Sequence, residues 1–440
     1  MTSEATLADF VADLSTEDIP DPVVERAGLT IADTIGAIIA GSRDPAVRSF
    51  AGRCEETTAG NVTVLGRGTV STTPMLAAFC NGAAGTVLEL DEGHRFAAGH
   101  PAIHVLPALL ADAEVEYSNG DDFLRAFVAG YEVAARVARA TLPLAEGYHP
   151  HGVWGAVGGA AAVASHRGLA AEQIRTAMAI AANYAQHTRF EAATEGATVR
   201  NSYAGMSNLA SLVAVEQTVS GFTGLSSGIS RHLSLAAGED FDEDSLQAGL
   251  GDRWELHHGY FKIHAACRYT HPTLDAIERV RESVDPDAIE SITVETYPAA
   301  ARLTESQPRN ALQAKFSIPF AVATALLTGE TGPESFDDEA ITPETRALSE
   351  RVTVTTGSEF AERAPEKRGA RVSIDLGDSE IVETVEAPRG GDHDPFTEAE
   401  LREKFQVITR PVIGADRATA LWESARSLEP PRVLSTLAQG

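Results

Sequence analysis

Through most of the chain up to residue 261, apolar residues return every three or four positions, the spacing of helices with one buried face. The segment PDPVVERAGLTIADTIGAIIAG predicts a helix that stops at Gly41. Thr73-Pro74 predicts the start of another, running through MLAAFCNGAAGTVLEL. Five more are predicted by PAIHVLPALLADAEVE, DDFLRAFVAGYEVAARVARA, GVWGAVGGAAAVASHRG, AEQIRTAMAIAANYA and AGMSNLASLVAVEQTVSG. Their interior faces are rich in Ala and Gly, which lets helices approach closely. NVTVLG, near residue 62, is the exception, a strand-like stretch. From Lys262 the period changes. SITVETY (291–297) and RVTVTTG (351–357) alternate as half-buried strands do. ARVSIDLGDSEIVETVEA reads as a hairpin turning at Gly377-Asp378. Two helical segments, PTLDAIERVRESV and AKFSIPFAVATALLTG, lie among these strands. After RGGDHDPF the helical period returns in TEAELREKFQVITR and DRATALWESARSL. The expected fold class is mainly α. A large all-α helical domain, residues 1–261 plus 396–440, carries a smaller α+β lid domain, residues 262–395, inserted near the C-terminus.

Composition narrows the functional classes. No apolar run reaches the roughly 18 residues of a membrane span. The nearest, Val153 to Ser165, is built from Gly and Ala and reads as a buried helix. The opening MTSEATLADF lacks the basic and apolar regions of a signal peptide, so a cytoplasmic location is expected. Cys54, Cys80 and Cys267 are too few and too scattered for a disulfide framework or an iron–sulfur cluster. The 63 acidic residues against 35 basic ones leave a net charge of −28. That balance argues against nucleic acid as a partner. It is the profile of a halophilic protein, in which concentrated salt screens self-repulsion. An acidic chain that binds an anion must also build a local positive site against its own field.

Three His-Pro pairs stand out: His100-Pro101, His149-Pro150 and His271-Pro272. Composition alone gives about 0.6 such pairs. Proline is favoured at the first helical position and pushes the preceding residue out of the helical region. Each pair is therefore expected to open a helix with the imidazole at the N-cap. There the helix dipole attracts carboxylates and holds the ring neutral, able to take a proton. Three such caps meeting at one place would form a pocket for a multiply charged acid.

The flanking residues extend this reading. In LELDEGHRFAAGHPAIH, Asp91 lies nine residues before His100 and could orient it or act as a base. HPAIH has the spacing of a metal-ligand pair, but no carboxylate or third ligand stands at helical spacing from it. No metal is expected. His94 and His151 are further candidates. FKIHAACRYTHPT gathers Lys262, His264, Cys267, Arg268 and His271 where the chain crosses between the expected domains, a favoured place for a small-molecule site.

These segments together resemble the MmgE/PrpD family, which includes 2-methylcitrate dehydratase and cis-aconitate decarboxylase. The resemblance is carried, in order, by ELDEGHRFAAGHPAIHVLPALLADAE, GYHPHGVWGAVGGAAAVA, AGMSNLASLVAVEQTVSGFTG, CRYTHPTLDAI and KFSIPFAVATALLTG. It implies a helical domain with a smaller α+β lid, action on small di- and tricarboxylic acids without a cofactor, and a homodimer. It implies catalytic roles for Asp91, His100, His149 and, on the lid side, His271. A family lysine falls at Arg200 and a family tyrosine at Phe320. The expected activity is that of a cofactor-independent lyase dehydrating 2-methylcitrate or a citrate-like acid, a reaction of propionate metabolism. Arg200, Lys262 and Arg268 would bind substrate carboxylates, with His94 and His151 beside them. Which imidazole is acid and which is base stays open. Decarboxylation of cis-aconitate and epimerisation of a dicarboxylate are the neighbouring alternatives. A non-catalytic carboxylate-binding relative is the alternative of another class.

Overall fold

The computed structural model describes residues 2–68, 70–116 and 118–439, and it is mainly α. One hydrophobic core runs from Leu7 to Phe261 and resumes at Phe396, ending at Ala438. The helices Asp21–Gly41, Pro74–Val87, Pro101–Val115, Gly120–Thr141, Gly155–His166 and Tyr203–Val219 build it. The helix Gly155–His166 is wholly apolar in its middle and buried there on all sides. Small residues let it in: a Cβ on Gly158 would stand 2.5 Å from the Ala134 Cβ. Short connections and this Ala/Gly seam produce close helix packing without large side chains. Among the described residues no helix is long and apolar enough to cross a membrane, and all three cysteines are free and buried.

A second core gathers mainly residues 265–385 around a four-stranded sheet. We number its strands β1 (Ser291–Thr296), β2 (Val352–Thr356), β3 (Ala370–Asp375) and β4 (Glu380–Val385). The order is β2-β1-β3-β4, with β1 and β2 parallel and the other neighbours antiparallel. The β3–β4 hairpin turns where Gly377 takes φ 82°, a conformation glycine adopts without strain. Strand β1 buries Ile292, Val294 and Thr296 on one face, as its alternation requires. The helices His271–Val280 and Ile318–Thr328 supply much of the rest of this core. The segment AKFSIPFAVATALLTG is not one helix. It breaks after Lys315, because the Ser317 side chain accepts the Phe320 N–H at 2.9 Å and starts a new helix at Ile318. The closing helices Glu398–Ile413 and Ala415–Arg426 return to the first core. There Gly36 faces Phe405, and buried Lys404 bonds Asp33 Oδ1 at 2.5 Å and the Leu90 carbonyl at 2.8 Å.

Candidate active site

Of the three His-Pro pairs, only His100 sits at a helix N-cap, that of Pro101–Val115. His149-Pro150 opens a turn, and its helix begins later, at Gly155. His271 is itself the first helical residue, with Thr270 as cap and a short 3-10 turn before it. Proline disfavours the helical region one residue back without forbidding it. At His271 the preceding turn overrides that preference. The N-cap position therefore belongs to His100 alone, while His271 stands inside the first turn of its helix.

Asp91 lies in the segment after the helix Pro74–Val87, and its Oδ2 is 2.9 Å from His100 Nδ1. The pair is close without the alignment of a directed hydrogen bond. Around it stand further buried imidazoles. The His151 ring centre is 4.6 Å from that of His100, 4.8 Å from His149 and 5.1 Å from His104. The His151 N–H donates to His149 Nδ1 at 3.1 Å, so the neutral His149 ring carries its proton on Nε2. Thr188 fixes this loop, donating its hydroxyl to the carbonyls of His149 and His151 at 2.9 and 2.7 Å. Phe190 stacks on His149 at 5.6 Å. Both ring nitrogens of His104 and His151, His100 Nδ1 and Trp154 Nε1 are buried without a hydrogen-bond partner. Native interiors seldom leave so many polar atoms unsatisfied in one place. Such a set marks where a polar ligand would make its bonds.

Burial, reinforced by the Arg200 charge, holds His149 well below the ordinary imidazole range, and the same causes act with the His100 charge on His151. Burial pushes His104 down to about 3. These rings are neutral near pH 7. Burial alone would push Asp91 up, but His100, Lys262 and Arg200 outweigh it and keep the carboxylate ionised.

The expected substrate clamps are already engaged. Arg200 pairs with Glu89 and donates to the Thr86 carbonyl at 3.1 Å. Lys262 Nζ donates to the Glu89 carbonyl at 2.9 Å and lies 3.4 Å from Glu89 Oε2 and 3.8 Å from Asp91 Oδ1. Glu89, with φ 54°, is thus a buried anion between two cations at a strained backbone position. It stands in the LELDEGH stretch two residues before Asp91. The run of three acids there was the available signal.

The other candidates make their own contacts. His271 keeps both ring nitrogens occupied, at 3.2 Å from Arg268 and 3.2 Å from the Ala266 carbonyl, and pairs with His264 at 5.0 Å. Among the described residues no hydrogen bond, ion pair or ring contact joins it directly to the His100–His149–His151 group. Lys262 is an electrostatic neighbour of both groups. Arg268 donates to the Pro388 carbonyl at 3.1 Å and stacks 4.4 Å over Tyr260. His94 is structural: one ring nitrogen meets the Glu255 carbonyl at 3.0 Å, the other accepts from Ala97 at 3.0 Å. Phe320 is buried in the second core against Phe336, 6.2 Å away.

Beside Asp91, Glu92 ties the site to the helix that carries His100. Its two oxygens take the Tyr131 hydroxyl at 2.5 Å and the Ala102 N–H at 3.3 Å. Burial, only partly offset by the Tyr131 bond, pushes its carboxyl up to about 8. A carboxyl raised in the folded state favours folding below its unfolded value, near 4.5, and loses that advantage as pH climbs through 8. Glu92→Gln keeps the shape and removes the titration. Its stability relative to wild type is expected to improve by about 1 kcal/mol per pH unit between pH 5 and 8. Urea unfolding at several pH values reads this directly, and a constant difference would refute it.

Residues 5–233 match the MmgE/PrpD N-terminal domain and residues 264–430 the MmgE/PrpD C-terminal domain. The cis-aconitate decarboxylase-like protein oryM of Aspergillus oryzae is 28% identical, over 98% of this chain and 96% of its own. The cis-aconitate decarboxylases of Aspergillus terreus and Homo sapiens are each 26% identical, over 97% and 99% of this chain and 93% and 94% of theirs. With both domains matched in tandem across nearly all of its length, this chain belongs to the MmgE/PrpD family.

Proposed function

We propose that the protein is a lyase acting on a small di- or tricarboxylic acid, with the Asp91–His100 pair as its proton-transfer centre. The observation that carries this reading is the group of buried, unsatisfied polar atoms around His100, His104 and His151. His100 is the one imidazole of the cluster with a carboxylate partner, at 2.9 Å, so it is the one suited to hold and deliver a proton. His149 and His151, kept neutral by burial, are acceptors or hydrogen-bond donors to a developing anion.

Decarboxylation of a cis-aconitate-type acid is the first reading, supported by the names of the relatives. The electron pair of the broken C–CO₂ bond shifts through the double bond to the carbon α to a second carboxylate. That carbon then takes the proton of His100, and carbon dioxide leaves. Dehydration of 2-methylcitrate or a citrate-like acid is the second reading, supported by the second neutral ring, His151, 4.6 Å from His100. One ring removes the α-proton and the other protonates the departing hydroxyl. Incubation with cis-aconitate, citrate and 2-methylcitrate, followed by NMR in D₂O, separates them. Carbon dioxide with a deuterated product supports the first, and an alkene with released water the second. Binding with neither product nor α-proton exchange would leave a carboxylate-binding protein and defeat the lyase.

A further inference from the structure

A cavity between the two cores, away from the imidazole cluster, is lined by Arg95, His258, Tyr260, Arg268, Arg368 and Asp392 among others. Its charges are unevenly matched. Arg95 is neutralised by a forked pair of bonds to Asp392, at 2.8 and 2.7 Å. Arg268 and Arg368 have no carboxylate within ion-pair distance among the described residues. Arg268 is 6% exposed, and its bonds go to main-chain carbonyls and His271. Arg368 donates to the Arg95 carbonyl and otherwise faces the tyrosines Tyr260, Tyr269 and Tyr297. His258 Nδ1 is buried there without a partner. Arg268 is buried and Arg368 is half-buried, and a guanidinium charge sheltered from water without an anion is unfavourable unless something compensates it. Of the chain's 63 acidic residues, Glu366 and Asp392 line this cavity, but neither forms an ion pair with Arg268 or Arg368, and Asp392 is taken by Arg95.

We infer that this cavity is a binding site for a small monovalent anion, halide or formate-like, held by Arg268 and Arg368 and bridging the two cores. Guanidinium N–H groups, the free imidazole nitrogen and the Tyr260 ring edge suit a compact anion. Occupancy joins residues 95 and 258–268 to residues 366–393, so anion binding favours the docked arrangement of the cores.

The test uses the full chain. Crystals soaked in bromide are expected to show an anomalous peak within hydrogen-bonding distance of Arg268 and Arg368; formate soaks should fill the same place if a carboxylate suffices. In parallel, thermal unfolding is followed while chloride replaces gluconate at constant ionic strength. The wild-type Tm is expected to rise about 1–2 °C per tenfold chloride above the dissociation constant. Arg368→Gln is expected to flatten that slope. Cavities empty of both bromide and formate, or equal slopes in the two proteins, would overturn the site. The soaks on wild-type crystals decide the matter even if the variant does not fold.

Discussion

Replacing His100 by Ala is expected to lower kcat by about 10²–10⁴-fold while leaving the fold intact. His100 stands at the start of the helix Pro101–Val115, and its ring packs edge-on against His151 rather than within the hydrophobic core cluster. Its one charged partner is Asp91, at 2.9 Å. Asp91→Asn should reproduce most of the loss, because the neutral amide no longer presents a carboxylate charge to His100 Nδ1. His94→Gln serves as the contrast. That ring is bonded to Glu255 and Ala97, so its loss should act on stability and spare kcat. Circular dichroism on each variant, with turnover of whichever acid proves active, checks the set. A His100→Ala enzyme within tenfold of wild type would remove the proton-transfer role assigned here.

Glu89→Gln is expected to destabilise the protein by about 3–5 kcal/mol. The substitution removes one unit of negative charge from between Arg200 and Lys262, all three of them buried. Two cations then share Asp91, 3.8 Å from Lys262, as their remaining carboxylate in a region from which water is excluded. Glu89→Gly distinguishes charge from backbone strain. It relieves the left-handed conformation at φ 54° yet still removes the carboxylate. Both variants should therefore fall, and both should regain stability when Lys262 is also replaced by Met. Urea unfolding of the singles and the double measures this coupling. A Glu89→Gln protein within about 0.5 kcal/mol of wild type would mean that solvent reaches these charges. The neutralised pair also has a consequence for binding. An incoming acid finds Arg200 and Lys262 already satisfied, so its carboxylates must compete with Glu89 for them.

What could be read without coordinates was whatever is encoded locally. Helical period, proline starts and the change to alternating positions after Lys262 foretold a mainly α protein with its strands concentrated after Lys262, and even the turn at Gly377. Periodicity works there because each element must turn one face to a core. The motifs around Asp91, His100 and His149 could likewise be found, since each occupies a compact stretch. Local pattern failed where geometry depends on distant chain. In AKFSIPFAVATALLTG the signal for the break at Ser317, a capping serine with Pro319 two residues on, was masked by the continuous apolar run around it. His-Pro spacing could not tell that His271 would enter its helix and spend both ring nitrogens on Arg268 and Ala266. Nor could it reveal that the cations meant for substrate would meet Glu89, or that His151 would be the ring in the middle. Sequence by itself determined which segments fold and which residue types could move a proton. Tertiary structure alone decided which of them share one buried space, because burial and charge pairing act through distances that the order of residues does not contain.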